Sequence, residues 1–177
     1  MTDEKKQKYA DAFRQLLKTK EYDQVTINEI CEKCGTYRPN FYYHFKSKDD
    51  LAEWIFLQDL KVIERKRPDL LASQTELLEK MKENNVFYLK SLAKEYESTL
   101  FMYMKDLLMG KTCEHIDIDY DSLDELSRFT LDFKISGWII SVWELLAGMV
   151  DVRTEDFSQA FYDVFSLLIE QLKRSDR

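Results

Sequence analysis

Apolar residues recur every three to four positions through most of the chain, and the breaks in that rhythm mark out helices. Tyr9, Ala12, Phe13, Leu16 and Leu17 share one face of a first helix that should stop near Lys20. Thr26-Ile27-Asn28-Glu29 reads as a capping box, in which the Thr hydroxyl and the Glu carboxylate satisfy early backbone donors reciprocally. The short helix it opens turns Ile27, Ile30, Cys31 and Cys34 inward, and Gly35 ends it as a left-handed cap. A third helix must begin almost at once, because Pro39 is tolerated only in a first turn. Phe41, Tyr42 and Phe45 give that helix its apolar side. Ser47-Lys48-Asp49-Asp50 then caps a long helix with Leu51, Trp54, Ile55, Gln58 and Val62 along one line. Three short helices before a long one, with a tight Gly turn between the second and third, form a helix-turn-helix pattern.

Beyond Pro68 longer helices are expected. Ser73-Gln74-Thr75-Glu76 is a second capping box, opening a helix to about Glu83. Asn84 or Asn85 would cap another, running to Met109 and ended by Gly110. Lys111–Asp121 is polar and aperiodic and reads as a loop. Ser122 with Glu125 would cap the next helix, through Phe129, Phe133, Gly137, Ile140 and Trp143 to about Ala147. Thr154 would cap the last, with Phe157, Ala160, Phe161, Val164, Phe165, Leu168 and Leu172 on one stripe and Lys173 and Arg174 near its end. Trp138–Val150 is apolar nearly all round, which fits burial on two sides, one on its own core and one on a partner chain. Gly137 and Gly148 would let a neighbouring helix approach. Trp143, Phe157, Phe161, Phe165 and Leu168 are the candidate dimer contacts, with a well-buried monomer core as the other explanation.

Composition narrows the class. Only 4 Gly and 2 Pro in 177 residues argue against a turn-rich β fold, and 45% hydrophobic residues suffice for a core. An all-α protein follows. No apolar run reaches the roughly 20 residues of a membrane span, and the first residues lack the apolar stretch of a signal peptide, so a cytoplasmic protein is expected. The net charge is −7, but residues 1–48 carry 10 Lys/Arg against 7 Asp/Glu, a local +3, while the remainder carries −10. A mildly basic head on an acidic body suits a small nucleic-acid module joined to a domain with another task.

Catalytic chemistry is sparse. There is no phosphate-binding Gly loop, His-Glu-x-x-His pair or nucleophile elbow, and only His44 and His115 could serve a histidine-based pair, so no enzyme, cofactor or metal site is expected. Cys31-Glu32-Lys33-Cys34 lacks a second ligand pair for zinc and a βαβ setting for redox work; both thiols fit inner positions as small hydrophobes, with a thiol sensor as the alternative. Asp117–Asp121 begins like a calcium loop but has Arg128 where the bidentate Glu belongs. The aromatics Phe87, Tyr88, Tyr96, Phe101, Tyr103, Phe133, Trp138 and Trp143 suit core packing, or an apolar cavity lined by Phe87, Tyr96, Phe101, Met104, Phe133 and Trp138.

The stretch Val25-Thr26-Ile27-x-x-Ile30, Gly35, Phe41-Tyr42-Tyr43-His44-Phe45 and Ser47-Lys48-Asp49-Asp50-Leu51 resembles the DNA-binding domain of the TetR family of bacterial transcription regulators. Cys31 and Cys34 stand where Ala is usual, Tyr37 where Ser or Thr is common, and Asn40 where Thr or Ala is frequent. Independently of the family, a recognition helix beginning near Tyr37 would aim its first residues at the major groove. There Arg38 can grip guanine, Asn40 adenine and Tyr37 a thymine methyl. The resemblance implies phosphate contacts at Thr26, Tyr42, His44 and Lys48, to which Tyr43 and Lys46 are added, and Thr36 would cap the helix in place of Tyr37. The C-terminal half is similar to the regulators of dihydroxyacetone kinase operons. The resulting expectation is a three-helix DNA-binding head at 1–48 and a helical effector and dimerisation domain at 49–177. It describes a homodimer on a palindromic operator, acting as a repressor under a small-molecule effector. The alternative is a helical protein–protein interaction module, or an effector-free activator, of the same fold.

Overall fold

The computed structural model describes residues 2–66, 70–92 and 98–175. Nine α-helices and two short 3-10 turns, and no strand, are found among them: α1 Thr2–Leu17, α2 Ile27–Lys33, α3 Arg38–His44, α4 Lys48–Lys66, α5 Leu70–Glu83, α6 Asn85–Leu92, α7 Thr99–Ile116, α8 Glu125–Leu146 and α9 Thr154–Ser175. None of the helices is long and apolar enough, over the described residues, to cross a membrane.

The head is built as its pattern dictates. Tyr9, Ala12, Phe13 and Leu17 of α1 are buried against Ile30 and Cys31 of α2 and Phe41 and Phe45 around α3. Edge-on ring contacts, Tyr9 to Phe41 at 5.4 Å and Tyr9 to Phe45 at 6.1 Å, hold α3 and its end against α1. Behind them α4 is shared property. Leu51, Ile55 and Phe56 pack into the same core, and α4 also runs against α5 and α7. The body is completed by α7 on α8, α5 on α9, and α6 between α1 and α8.

Head and body are stitched by polar bonds as well. The half-buried Arg14 of α1 reaches the buried carboxylate of Asp59 on α4 at 3.3 Å, and the buried Tyr88 of α6 donates its hydroxyl to the same carboxylate at 2.7 Å. Phe13 meets Phe87 edge-on, and Arg14 lies over the Phe87 ring. Lys90 of α6 donates to the carbonyl of Lys20, where α1 runs out, and pairs with Glu21 at 3.1 Å.

Several boundaries differ from those the sequence predicts. α5 begins at Leu70, so Ser73 lies within it and not at its start. The expected single helix to Met109 is two, α6 over Asn85–Leu92 and α7, which Ser98, in an extended backbone, caps by accepting from Phe101 N–H. Gly110 does not end α7, which continues through the expected loop to Ile116, burying Cys113 and Ile116. Asp117 ends it at φ 56°, with the Ile118 N–H bonded back to the Cys113 carbonyl. α8 is capped by Asp124, whose carboxylate accepts from Ser127, and not by Ser122. The Thr154 hydroxyl accepts from Lys82 of α5 at 2.7 Å, so it ties α9 to α5.

Candidate nucleic-acid interface

The turn that sets α3 is a two-bond closure. Gly35 sits at φ 66°, its N–H donates to the Glu32 carbonyl at 3.1 Å, and the Thr36 N–H donates to the Cys31 carbonyl at 2.9 Å. A side chain at Gly35 would meet no neighbour, so the requirement there is the left-handed backbone alone. Three residues after Thr36, Pro39 occupies the first turn of α3. At the front of α2, Thr26 Oγ accepts from Glu29 N–H while the Glu29 carboxylate takes the Thr26 N–H at 2.9 Å; such a cap contributes about 1 kcal/mol. Lys20 also pairs with Glu29.

Held this way, α3 has three sides. Phe41 is buried in the head, with Phe45 just past the helix end. Arg38 and Tyr42 lie one turn apart on one flank: Arg38 Nη2 donates to the Tyr42 hydroxyl at 3.0 Å and the guanidinium lies over its ring. Asn40 and His44 lie on the flank toward α1. Tyr37 is 78% exposed and Tyr43 83%, large aromatics that no core contact accounts for. A short helix that presents an arginine, an amide and two tyrosines to solvent on an aromatic buttress has the shape and chemistry to enter a major groove.

The predicted interface residues divide on this geometry. Tyr37, Arg38, Asn40, Tyr42, Tyr43 and Lys46 stand on the exposed side of the head. Thr36 caps nothing. Its hydroxyl oxygen accepts from Asn40 Nδ2 at 3.1 Å and from the Tyr9 hydroxyl at 3.3 Å, and Tyr37 takes the N-cap position without a side-chain bond. Thr26 is exposed, but both its N–H and its hydroxyl already donate to Glu29, so a phosphate there would have to displace a carboxylate. Lys48 is turned inward. Its ammonium donates to the carbonyls of Tyr22 and Val25 and covers the Tyr22 ring, and burial lowers its pKa. Its work is to fasten the start of α4. His44 is half-buried beside Tyr9 and Tyr43, and burial, with the nearby charges of Lys6 and Lys5, holds its pKa below the usual value. At neutral pH it offers a ring N–H, not a charge. The support that Tyr9 gives α3, through its hydroxyl on Thr36 and its ring on Phe41, is not legible in the sequence, where its position reads only as core.

In the body, the candidate cavity residues Phe87, Phe101, Met104 and Trp138 are buried, Phe133 is 67% exposed and lines nothing internal, and Tyr96 lies outside the described residues. Of the candidate dimer contacts, Phe165 and Leu168 are buried inside the chain, Trp143 is half-buried with its Nε1 donating to the Leu89 carbonyl at 3.3 Å, and Phe157 and Phe161 are half-buried against the same core. The outward apolar face is displaced from that stripe: Leu126, Phe129 and Phe133 of α8, with Val164 and Leu167 of α9. Gly137 and Gly148 meet no neighbouring atom where a Cβ would stand; Gly148 serves instead as the left-handed cap of α8, φ 71°. Cys31 and Cys113 are buried and Cys34 half-buried, all as free thiols whose pKa burial raises, Cys34 to about 11.

Residues 11–55 match the family model described as bacterial regulatory proteins, tetR family. Over 171 residues the chain is 29% identical to the HTH-type dhaKLM operon transcriptional activator DhaS of Lactococcus lactis subsp. lactis (strain IL1403), spanning 93% of this chain and 88% of that protein. The fold is also that of a solved structure of a dihydroxyacetone kinase operon activator DhaS, with TM-score 0.60, 20% identity, and 96% of each chain covered. The TetR family repressor AlkX from Dietzia sp. strain DQ12-45-1b shares it at TM-score 0.55 and 12% identity, over 93% of this chain and 97% of that one.

Proposed function

We propose that this chain, which carries the tetR-family regulatory domain over residues 11–55, controls transcription by reading a palindromic duplex as a homodimer. The observation that carries the reading is α3, a seven-residue helix fixed by the Gly35 turn and Pro39, with Arg38, Asn40, Tyr42 and Tyr43 outward and Phe41 buried beneath. Residues 1–48 serve as the reading head. Arg38 and Asn40 address base edges, and Tyr42, Tyr43 and Lys46 address the backbone.

Residues 49–177 serve as the dimerising and sensing body. The exposed stripe of Leu126, Phe129, Phe133, Val164 and Leu167 supports a self-complementary four-helix contact of α8 and α9 with a second copy. Two copies would set their reading helices about one duplex turn apart. Ser91 Oγ on α6, Trp138 Nε1 on α8 and Ser158 Oγ on α9 are buried with no hydrogen-bond partner among the described residues, polar groups that a small polar effector bound within the body could satisfy. For the direction of control, the Lactococcus relative is named an activator, and activation is the sign we propose in place of the repression expected from the sequence.

Selection of bound duplexes from a random library, by the full chain at low salt, tests the reading. An enriched palindrome whose insertion beside a reporter raises expression in the presence of the protein is the expected result. No enrichment from a chain that is dimeric in solution would instead favour the interaction-module alternative.

A further inference from the structure

Between the first half of α1 and the outer side of α3 lies an open cleft of about 270 Å³, far more than the roughly 10–15 Å³ a single water needs. Its walls carry Lys5 and Lys8 from α1 and Asn40, Tyr43 and His44 from α3, with Thr36 and Tyr9 at the base. No carboxylate lines it, although the chain as a whole carries −7. Lys5 and Lys8 are exposed and make no ion pair among the described residues; Lys6 beside them is spent on the Phe45 and Trp54 rings. The lining is therefore rich in donors and positive, with Cys34 completing it and the Asp11 carboxylate, near enough to act on that thiol, lying outside it. Thr36 adds to this: with Tyr9 and Asn40 both donating to its oxygen, its hydroxyl hydrogen is left for a further acceptor.

We propose that this cleft is a phosphate site, and that a backbone phosphate of the bound duplex fills it, with Lys5 and Lys8 supplying the charge and Thr36 and Tyr43 the hydroxyl donors. The inference rests on the DNA-reading function proposed above and extends the contact surface to α1. Asn40 and Tyr43 belong both to the cleft wall and to the exposed side of α3, so a strand followed by that helix passes the cleft mouth. A phosphate seated there would fix the strand beside Asn40, whose amide Thr36 already orients.

The test is the salt dependence of binding to the library-selected duplex, for the wild type and for Lys5→Gln/Lys8→Gln. Both lysines are exposed, so the variant should keep the wild-type melting curve. Each neutralised phosphate contributes about 0.9 to the slope of log affinity against log salt. The expected result is a slope flatter by about 2 per dimer, a loss of affinity of roughly tenfold or more, and unchanged base preference. An unchanged slope overturns the assignment to the duplex backbone. A parallel titration with inorganic phosphate, followed through the His44 ring resonances, separates the sources. A millimolar response that the double variant loses, with unaltered duplex binding, assigns the cleft to a free anion; no response in either arm removes the site. If the wild type bound no duplex at all, the DNA-reading function would fail, and the phosphate titration would still decide on the cleft.

Discussion

Among the described residues, Arg38 is held by one hydrogen bond and one ring face, both from Tyr42, and by nothing charged. That is enough to keep the guanidinium extended along the exposed flank of α3 and little enough to release it to a base. Arg38→Ala should therefore cost about 1–3 kcal/mol of discrimination at a single base pair. Competition binding with singly substituted duplexes would show the preference relaxed at that position and kept elsewhere. Glu29 gives a pH-dependent counterpart. Its pairing with Lys20 and its bonds from Thr26 hold its carboxyl at about 2 against an ordinary 4.5. A depressed carboxyl contributes its stability above the unfolded value and loses it as pH falls toward the folded one. The melting temperature of Glu29→Gln should lie below that of the wild type at pH 7 and converge with it between pH 4.5 and 2. The Thr26–Glu29 box was legible in sequence because it is a local pattern. The inward turn of Lys48 was not, because its acceptors, the carbonyls of Tyr22 and Val25, lie more than twenty residues away and have no side-chain signature.

At the scale of elements, two chain reversals differ by one choice of residue. Gly35 and Asp117 both occupy left-handed backbone after a helix, at φ 66° and 56°. For L-residues that conformation costs about 1–2 kcal/mol, which Gly avoids and Asp only partly offsets. Gly35→Ala should lower, and Asp117→Gly raise, the free energy of unfolding, by about 1 kcal/mol each; paired urea titrations would read the opposite signs. The same comparison explains what could be read in advance. Gly35 announces its turn, whereas Gly110 carries the same letter inside a helix whose Cys113 and Ile116 still face the core. There tertiary burial outweighed a weak breaker. The division between α6 and α7 was invisible for a related reason: the apolar rhythm continues across it, and the Ser98 cap alone marks the restart.

For the whole molecule, the sequence showed an apolar pattern on the last two helices but not which part of it the chain keeps for itself. Phe165 and Leu168 belong to the internal core, and the surface left over is Leu126, Phe129, Phe133, Val164 and Leu167. Telling those sets apart needs the position of α5 and α7, which periodicity does not contain. Phe133→Glu combined with Leu167→Glu should leave helicity intact and convert the proposed dimer to a monomer by light scattering. Duplex affinity should fall steeply, since each head alone offers few cationic contacts. The dimer surviving both changes would move the interface elsewhere.

The Arg14–Asp59–Tyr88 bonds and the Phe13–Phe87 contact also constrain anyone who wishes to graft a different head onto this body. A graft cut at the end of the third helix would strand Tyr22 from Asp49 and leave the Asp59 carboxylate buried without its arginine. The natural splice point is instead past Asp59, within the second half of α4, and a chimera joined there must import matching residues at Phe87 and Tyr88 along with the foreign head.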